Sequence, residues 1–235
     1  MRLLAGTSGF AYKEWKGSFY PSGLKDAQML PFYASRFPAV EINNTFYRMP
    51  ARELLDKWAA ETPPDFTFVL KAPQRITHQG RLRNEGDPLG KFLQTAEAMG
   101  ARLGPLLFQL PPFFKKDLER LRAFLALLPG DRRAAFEFRH ESWADEEVHA
   151  ALRERGAALC VADTDEDEQP APIVATASWG YLRLRRTAYP GDMLRAWAAR
   201  IRAQPWSEVF VFFKHEEKGT GPALAREFME VWPAP

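Results

Sequence analysis

The sequence has one cysteine, four histidines and almost no net charge, and each shortage excludes a class of function. Cys160 has no partner within the chain for an internal disulfide, so a reducing cytoplasm is the expected compartment. Lys plus Arg number 32 against 30 Asp plus Glu, a formal charge of +2. Bulk charge therefore names neither a nucleic acid nor a membrane as partner. Charges or prolines interrupt every apolar stretch before it reaches the roughly 18 residues of a membrane-spanning helix, and residues 1–10 lack the apolar run of a secretory leader. The histidines, His78, His140, His149 and His215, show no HxH or HExxH spacing, so no transition-metal site is expected. Ser8 lies outside any G-x-S-x-G elbow, and Gly6-Thr7-Ser8-Gly9 is not a dinucleotide-binding turn. No Ser/Gly-rich linker divides the chain, which reads as one domain over residues 1–235.

What is abundant is core-forming material, 46% hydrophobic residues arranged in a recurring unit of short β-rich run and amphipathic helix. Strands are expected at 3–8, 40–45, 66–71, 106–110, 135–139, 159–163, 181–185 and 209–214. Helices are expected at 27–36, 52–61, 91–99, 116–128, 145–155, 193–203 and 222–231, and only the sixth connection lacks one. Asp117 and Glu119 mark one helix start and Pro129-Gly130 its end, and Asp192 is placed to cap the helix carrying Leu194, Trp197 and Ile201. Eight alternating units predict parallel strands with right-handed crossovers, a single-domain (β/α)8 TIM-type barrel rather than an open sheet.

In that architecture the carboxyl ends of the strands form the mouth where distant side chains converge. Side chains alternate across a strand, so the apolar set faces the helices and the other set enters the barrel. Glu41 and Asn43 are thus expected inward opposite Val40 and Ile42, Lys71 opposite Phe68 and Leu70, and Glu137 and Arg139 opposite Phe136 and Phe138. Arg183 and Arg185 follow on the seventh run, and Gln109, Asp163 and Lys214 complete the ring, with a weaker alternation at strands six and eight. Five cations, Lys71, Arg139, Arg183, Arg185 and Lys214, face three carboxylates, Glu41, Glu137 and Asp163. The surplus points to an anionic ligand such as a phosphate or carboxylate, while an internal ion-pair network is the structural alternative. Glu41 and Glu137 form an acid/base pair if burial lets one hold a proton. Lys71 offers a Schiff-base amine if cationic neighbours depress its pKa.

Other features carry two readings. The aromatic loop with Tyr12, Trp15 and Tyr20 beside lysines can stack on bases or sugars, or pack itself down. The acidic run 163–168 is a solvated loop or the seat of a single divalent cation, and no other cofactor is expected. Cys160, among apolar neighbours, reads as a packing residue.

Four segments in order, Glu41-Ile42-Asn43-Asn44-Thr45-Phe46-Tyr47-Arg48-Met49-Pro50, Phe68 to Pro73 with Thr77-His78, Leu103 to Pro112, and Phe136-Glu137-Phe138-Arg139-His140 with Trp143, resemble the YecE-like family, known as domain of unknown function 72. The resemblance spans nearly the whole chain and implies a TIM-type barrel in a bacterial or archaeal cytosol, with no reaction attached. Asn44, Tyr47, His78, His140 and Trp143, which lie in these segments, join Asn43, Gln109, Arg139, Asp163, Arg183, Arg185 and Lys214 as expected ligand contacts. Two places depart from the family pattern: Arg185-Arg186 stands where a His-Gly pair is common, and Lys214-His215-Glu216 where an Asn-Asn-Asp turn is common. Kinship with endonuclease IV and xylose isomerase barrels is a fold analogy only, and the few histidines weigh against a three-zinc mechanism. The leading expectation is an enzyme-like or ligand-binding barrel acting on a phosphorylated or other anionic substrate, with Glu41, Glu137 and Lys71 as catalytic candidates. The alternatives are a nucleic-acid-binding protein using the aromatic loop, Arg75, Arg81, Arg83 and Arg186 as a rim, and a non-catalytic scaffold.

Overall fold

The computed structural model describes residues 1–190, 192–214 and 217–232. Eight parallel strands run β1 (Arg2–Thr7), β2 (Ala39–Ile42), β3 (Thr67–Lys71), β4 (Leu103–Gln109), β5 (Ala134–Glu137), β6 (Ala158–Asp163), β7 (Trp179–Leu184) and β8 (Glu208–Phe213). They are hydrogen-bonded in the order β1-β8-β7-β6-β5-β4-β3-β2. The remaining seam, between β1 and β2, closes at a single parallel bridge of Ser8 with Glu41, where the Gly9 N–H donates to the Glu41 carbonyl at 2.7 Å. The result is the expected TIM-type barrel, nearly closed.

Among the described residues seven α-helices wrap it: α1 (Met29–Ala34), α2 (Arg52–Ala60), α3 (Pro88–Ala96), α4 (Leu118–Leu127), α5 (Glu146–Arg155), α6 (Met193–Arg202) and α7 (Thr220–Val231). Asp117 starts α4 by accepting from the Arg120 N–H at 3.0 Å, and Leu121, Phe124 and Leu125 give it a buried face. Asp192 does not cap α6: its carboxylate pairs with Arg195 instead, at 2.7 Å. The connection from β6 to β7 contains no helix, as expected from its lack of apolar periodicity.

The seam depends on one missing side chain. A Cβ on Gly6 would lie 2.0 Å from the Ala39 carbonyl oxygen and 2.8 Å from the Tyr33 hydroxyl. Tyr33 of α1 stitches both strands, accepting from the Thr7 N–H at 2.8 Å and donating to the Ala39 carbonyl at 3.1 Å. Gly6→Ala is therefore expected to force the seam apart and cost about 3 kcal/mol, by analogy with overpacked cores. A urea midpoint equal to that of the parent would show that β1 and β2 do not approach this closely.

Two apolar layers result. Val40, Ile42, Phe68, Leu70, Phe108, Phe136, Leu182 and Leu184 pack outward against the helices. Leu4, Val69, Leu107, Cys160, Tyr181, Phe210 and Phe212 fill the barrel interior. The polar interior residues Glu41, Lys71, Gln109, Glu137 and Arg183 sit at or next to the carboxyl ends of their strands. A dry apolar plug thus lies beneath a charged layer.

Candidate functional site at the carboxyl mouth

Short strands set the site. β2 stops at Ile42 rather than continuing to residue 45, because Asn44–Phe46 form a 3-10 turn. Thr45 fixes that turn by donating its hydroxyl to the carbonyls of Ile42 (3.0 Å) and Lys71 (2.6 Å). The turn lays the Phe46 ring under Lys71, whose Nζ is 4.2 Å from the ring centre.

Arg183 is the hub. Its Nη1 donates to Glu137 Oε2 at 2.6 Å and its Nη2 to Glu41 Oε1 at 2.9 Å, with both carboxylates and the guanidinium essentially inaccessible to solvent. Glu41 also accepts from Ser8 Oγ (2.7 Å), Asn43 Nδ2 (3.2 Å) and Tyr181 Oη (2.5 Å). Glu137 Oε1 accepts from Gln109 Nε2 (2.7 Å) and Arg139 Nε (3.1 Å). Gln109 in turn accepts from Lys71 Nζ at 2.8 Å, so one polar chain crosses the barrel from Lys71 to Tyr181.

This wiring corrects the expected acid/base pair. Burial raises the Glu137 carboxyl, but the opposing attraction of Arg183 and then Arg139 exceeds it and holds the pKa at about 2. Glu41 is likewise lowered: burial opposes ionisation, and Arg183 with the Tyr181 and Ser8 hydrogen bonds outweighs it. Both groups are anions at neutral pH and hold no proton to donate. Lys71 is lowered too, which for an amine favours the neutral form. Burial and the nearby Arg183 charge lower its ammonium to about 8.

Asp163 is a second correction. On β6 the inward positions are Ala158 and Cys160, so Asp163 lies on the opposite face, where its carboxylate pairs with Arg186 at 2.9 Å. The alternation Leu159-Cys160-Val161-Ala162 is apolar on both faces and gives no parity signal. Without Asp163, five cationic side chains of the expected ring face two carboxylates. The same pair removes Arg186 from the expected nucleic-acid rim, whereas Arg75, Arg81 and Arg83 are exposed on another loop. Trp143 is a third correction: it is 1% exposed, stacked 4.5 Å from Phe138 and donating to the Phe114 carbonyl at 2.6 Å, so it packs the loop rather than facing a ligand.

Above the charged layer opens a cavity of about 890 Å³. Glu137, Arg139, Arg185 and Lys214 line it together with Asp165, Glu166, Asp167 and Glu217. Asp167 accepts from the Thr164 N–H at 2.6 Å and Asp165 from the Thr187 N–H at 3.0 Å, bonds that order the acidic loop. Among the described residues, no three His, Cys, Asp or Glu side chains converge as a metal-binding group. His78 is half-buried, edge-on to Phe46 with ring centres 4.8 Å apart and its Nδ1 2.9 Å from the Thr77 hydroxyl. Burial and the Lys71 charge lower its pKa. His140 accepts the Ser142 N–H at 3.1 Å as the cap of a local turn. Asn44 and Tyr47 are exposed in a separate shallow depression bounded by Leu54. His215 and Glu216 lie outside the described residues.

Sequence reasoning misses Ser8, Phe46 and Tyr181. Tyr181 shares the parity of Arg183 and is therefore legible from alternation, whereas Phe46 acts only because a turn replaces the end of a strand. Trp15 and Tyr20 are buried, and Tyr20 donates to the Phe10 carbonyl at 2.5 Å, so the aromatic loop packs on itself. Cys160 is buried, and burial pushes its thiol well above its usual range.

Similar proteins share this frame. UPF0759 protein YecE of Escherichia coli is 33% identical over 138 residues, and the chain spans about half that relative's length (56% of this chain, 51% of the relative). UPF0759 protein YunF of Bacillus subtilis is 28% identical over 86% of this chain and 75% of its own. The crystal structure of a DUF72 family protein from Thermotoga maritima superposes with a TM-score of 0.79 at 28% identity, covering 98% of each chain. One from Enterococcus faecalis, at 21% identity and a TM-score of 0.73, shares the fold over 87% of this chain and 93% of its own. The model of the family described as "Protein of unknown function DUF72" matches residues 4–234, and the chain belongs to that family.

Proposed function

We propose that the protein binds an anionic small molecule, of the phosphorylated and hydroxyl-bearing kind, in the mouth of the barrel. The observation that carries this reading is the convergence of Arg139, Arg185 and Lys214 in the lining of one cavity at the carboxyl ends of the strands. These come in addition to Arg183, which by itself bridges Glu41 and Glu137. Burial and the adjacent Arg183 lower the Arg185 guanidinium, the mark of cations crowded together. A phosphate accepts forked guanidinium hydrogen bonds at such a place. Carboxylates in the same lining, Glu166 of the acidic loop and Glu217 beyond β8, suit hydroxyl donors on the rest of the ligand.

Calorimetric titration with inorganic phosphate and with glucose 6-phosphate tests the reading. The sugar phosphate is expected to bind more tightly than phosphate, and Arg139→Ala and Arg185→Ala each to weaken it about 10–100-fold, as charged hydrogen bonds do. Absence of phosphate and sugar-phosphate binding to the parent overturns it. Binding to single- or double-stranded DNA or RNA that falls steeply with salt, unaffected by Arg139→Ala and carried by Arg75, Arg81 and Arg83, replaces it with the nucleic-acid reading.

A further inference from the structure

We infer that Lys71 is an imine-forming lysine, its ε-amine adding to the carbonyl carbon of an aldehyde or ketone whose phosphate or carboxylate is held by the neighbouring cations. The inference rests on the anion-binding reading and names the reacting group of its ligand.

A lysine that serves only to neutralise a barrel interior pairs with a carboxylate. Lys71 is 9% exposed yet lies within 4.0 Å of no carboxylate oxygen among the described residues, although Glu137 is one residue away along the polar chain. Gln109 stands between them: its amide takes Glu137 with Nε2 and Lys71 with Oε1. The amine is held by one neutral oxygen and one aromatic face, contacts that orient it and favour the ammonium far less than a carboxylate partner would. Burial and the repulsion of Arg183, with a smaller one from Arg139, outweigh the attraction of the more distant Glu41 and Glu137 and bring its pKa to about 8. On the order of a tenth of the molecules then carry the neutral nucleophile at pH 7.

The step balances without an outside reagent. The neutral amine's lone pair forms the N–C bond as the carbonyl π bond breaks, and the carbonyl oxygen takes up the proton that the nitrogen sheds. The proton that the ammonium gave up to become that amine then returns to the carbinolamine hydroxyl, which leaves as water while the nitrogen lone pair forms the C=N bond, so ammonium plus carbonyl gives iminium plus water with no net proton change. His78 touches the same Phe46 ring and, with its pKa lowered, is a neutral imidazole placed to carry the transferred proton. Arg139 seats the anionic end, and the buried Glu137 carboxylate balances the iminium charge.

Reductive trapping tests this. The full-length protein is incubated with pyridoxal 5′-phosphate and, separately, glyceraldehyde 3-phosphate, with and without sodium cyanoborohydride, and adducts are mapped by peptide mass spectrometry. One reduced adduct per chain is expected at Lys71, suppressed by excess inorganic phosphate, with a rate that inflects near pH 8 rather than near the 10.5 of an ordinary lysine. Lys71→Arg keeps the charge and is expected to bind phosphate with no adduct. Lys71→Met serves as the folding control, because removing a buried ammonium leaves the melting temperature no lower. Adducts scattered over exposed lysines, or an unchanged yield in Lys71→Met, overturn the inference. Phosphate binding in the parent without a Lys71 adduct overturns the imine alone and leaves the anion-binding reading standing. Loss of both removes the two together.

Discussion

Arg183→Met is expected to destabilise the fold by about 3–5 kcal/mol, the usual cost of breaking a buried ion pair by removing one partner. The methionine fills much of the arginine's volume, so the loss is electrostatic rather than a cavity. What remains are Glu41 and Glu137, 0% and 1% exposed, facing each other without the fork that held them. One of them must then take up a proton or draw in water. Arg183→Lys is expected to recover only part of the loss, since a point charge cannot reach both oxygens in the planar geometry that Nη1 and Nη2 provide. The informative control is Arg183→Met with Glu41→Gln and Glu137→Gln, in which no buried charge is orphaned and most of the stability returns. Urea midpoints of the three proteins measure this. A single Arg183→Met variant as stable as the parent would mean that the two carboxylates are not held as anions by this residue.

The second large effect is acid sensitivity centred on Glu137. Its carboxyl titrates at about 2 in the fold and has an ordinary value of 4.5 in an unfolded chain. Above 4.5 both states are ionised and the stabilisation is complete. Between 4.5 and 2 the unfolded chain binds the proton first, so stability falls as pH falls. The difference amounts to about 3 kcal/mol for this group, and Glu41, lowered for the same reason, adds to it in the same direction. Urea midpoints taken from pH 7 down to pH 2.5 should therefore drop steeply below about pH 4.5. Glu137→Gln should flatten the slope while costing stability at pH 7. A parent protein with a level profile across this window would show that the carboxylates carry ordinary pKa values.

The two experiments bear on function through Lys71. The Arg183 charge that stabilises both carboxylates also repels the lysine, so the ion-pair network and the reactive amine are a single electrostatic object.

Much of this arrangement is legible in the order of residues along the chain. Alternation puts Glu41, Lys71, Glu137 and Arg183 on one face of four strands, because successive side chains on a strand oppose each other whatever the fold around them. The alternation fails where both faces are apolar, and there Asp163 is expected on the wrong side: Ala158 and Cys160 take the inward positions of β6. Trp143 is misjudged too, since its place depends on a stack with Phe138 and a hydrogen bond to Phe114 from a different loop.

By itself the amino-acid sequence determined the eight-fold alternation, the barrel and the inward placing of Glu41, Lys71, Glu137 and Arg183, since these follow from local periodicity along the chain. Tertiary structure alone decided which charges pair, that Arg183 rather than Lys71 takes both glutamates, and that Phe46 lies beneath the lysine. The reason is physical: pairing energies depend on distances of a few ångströms across the barrel and on how far water is excluded there. Neither quantity is set until strands as distant in sequence as those of Glu41 and Arg183, 142 residues apart, have closed into one ring.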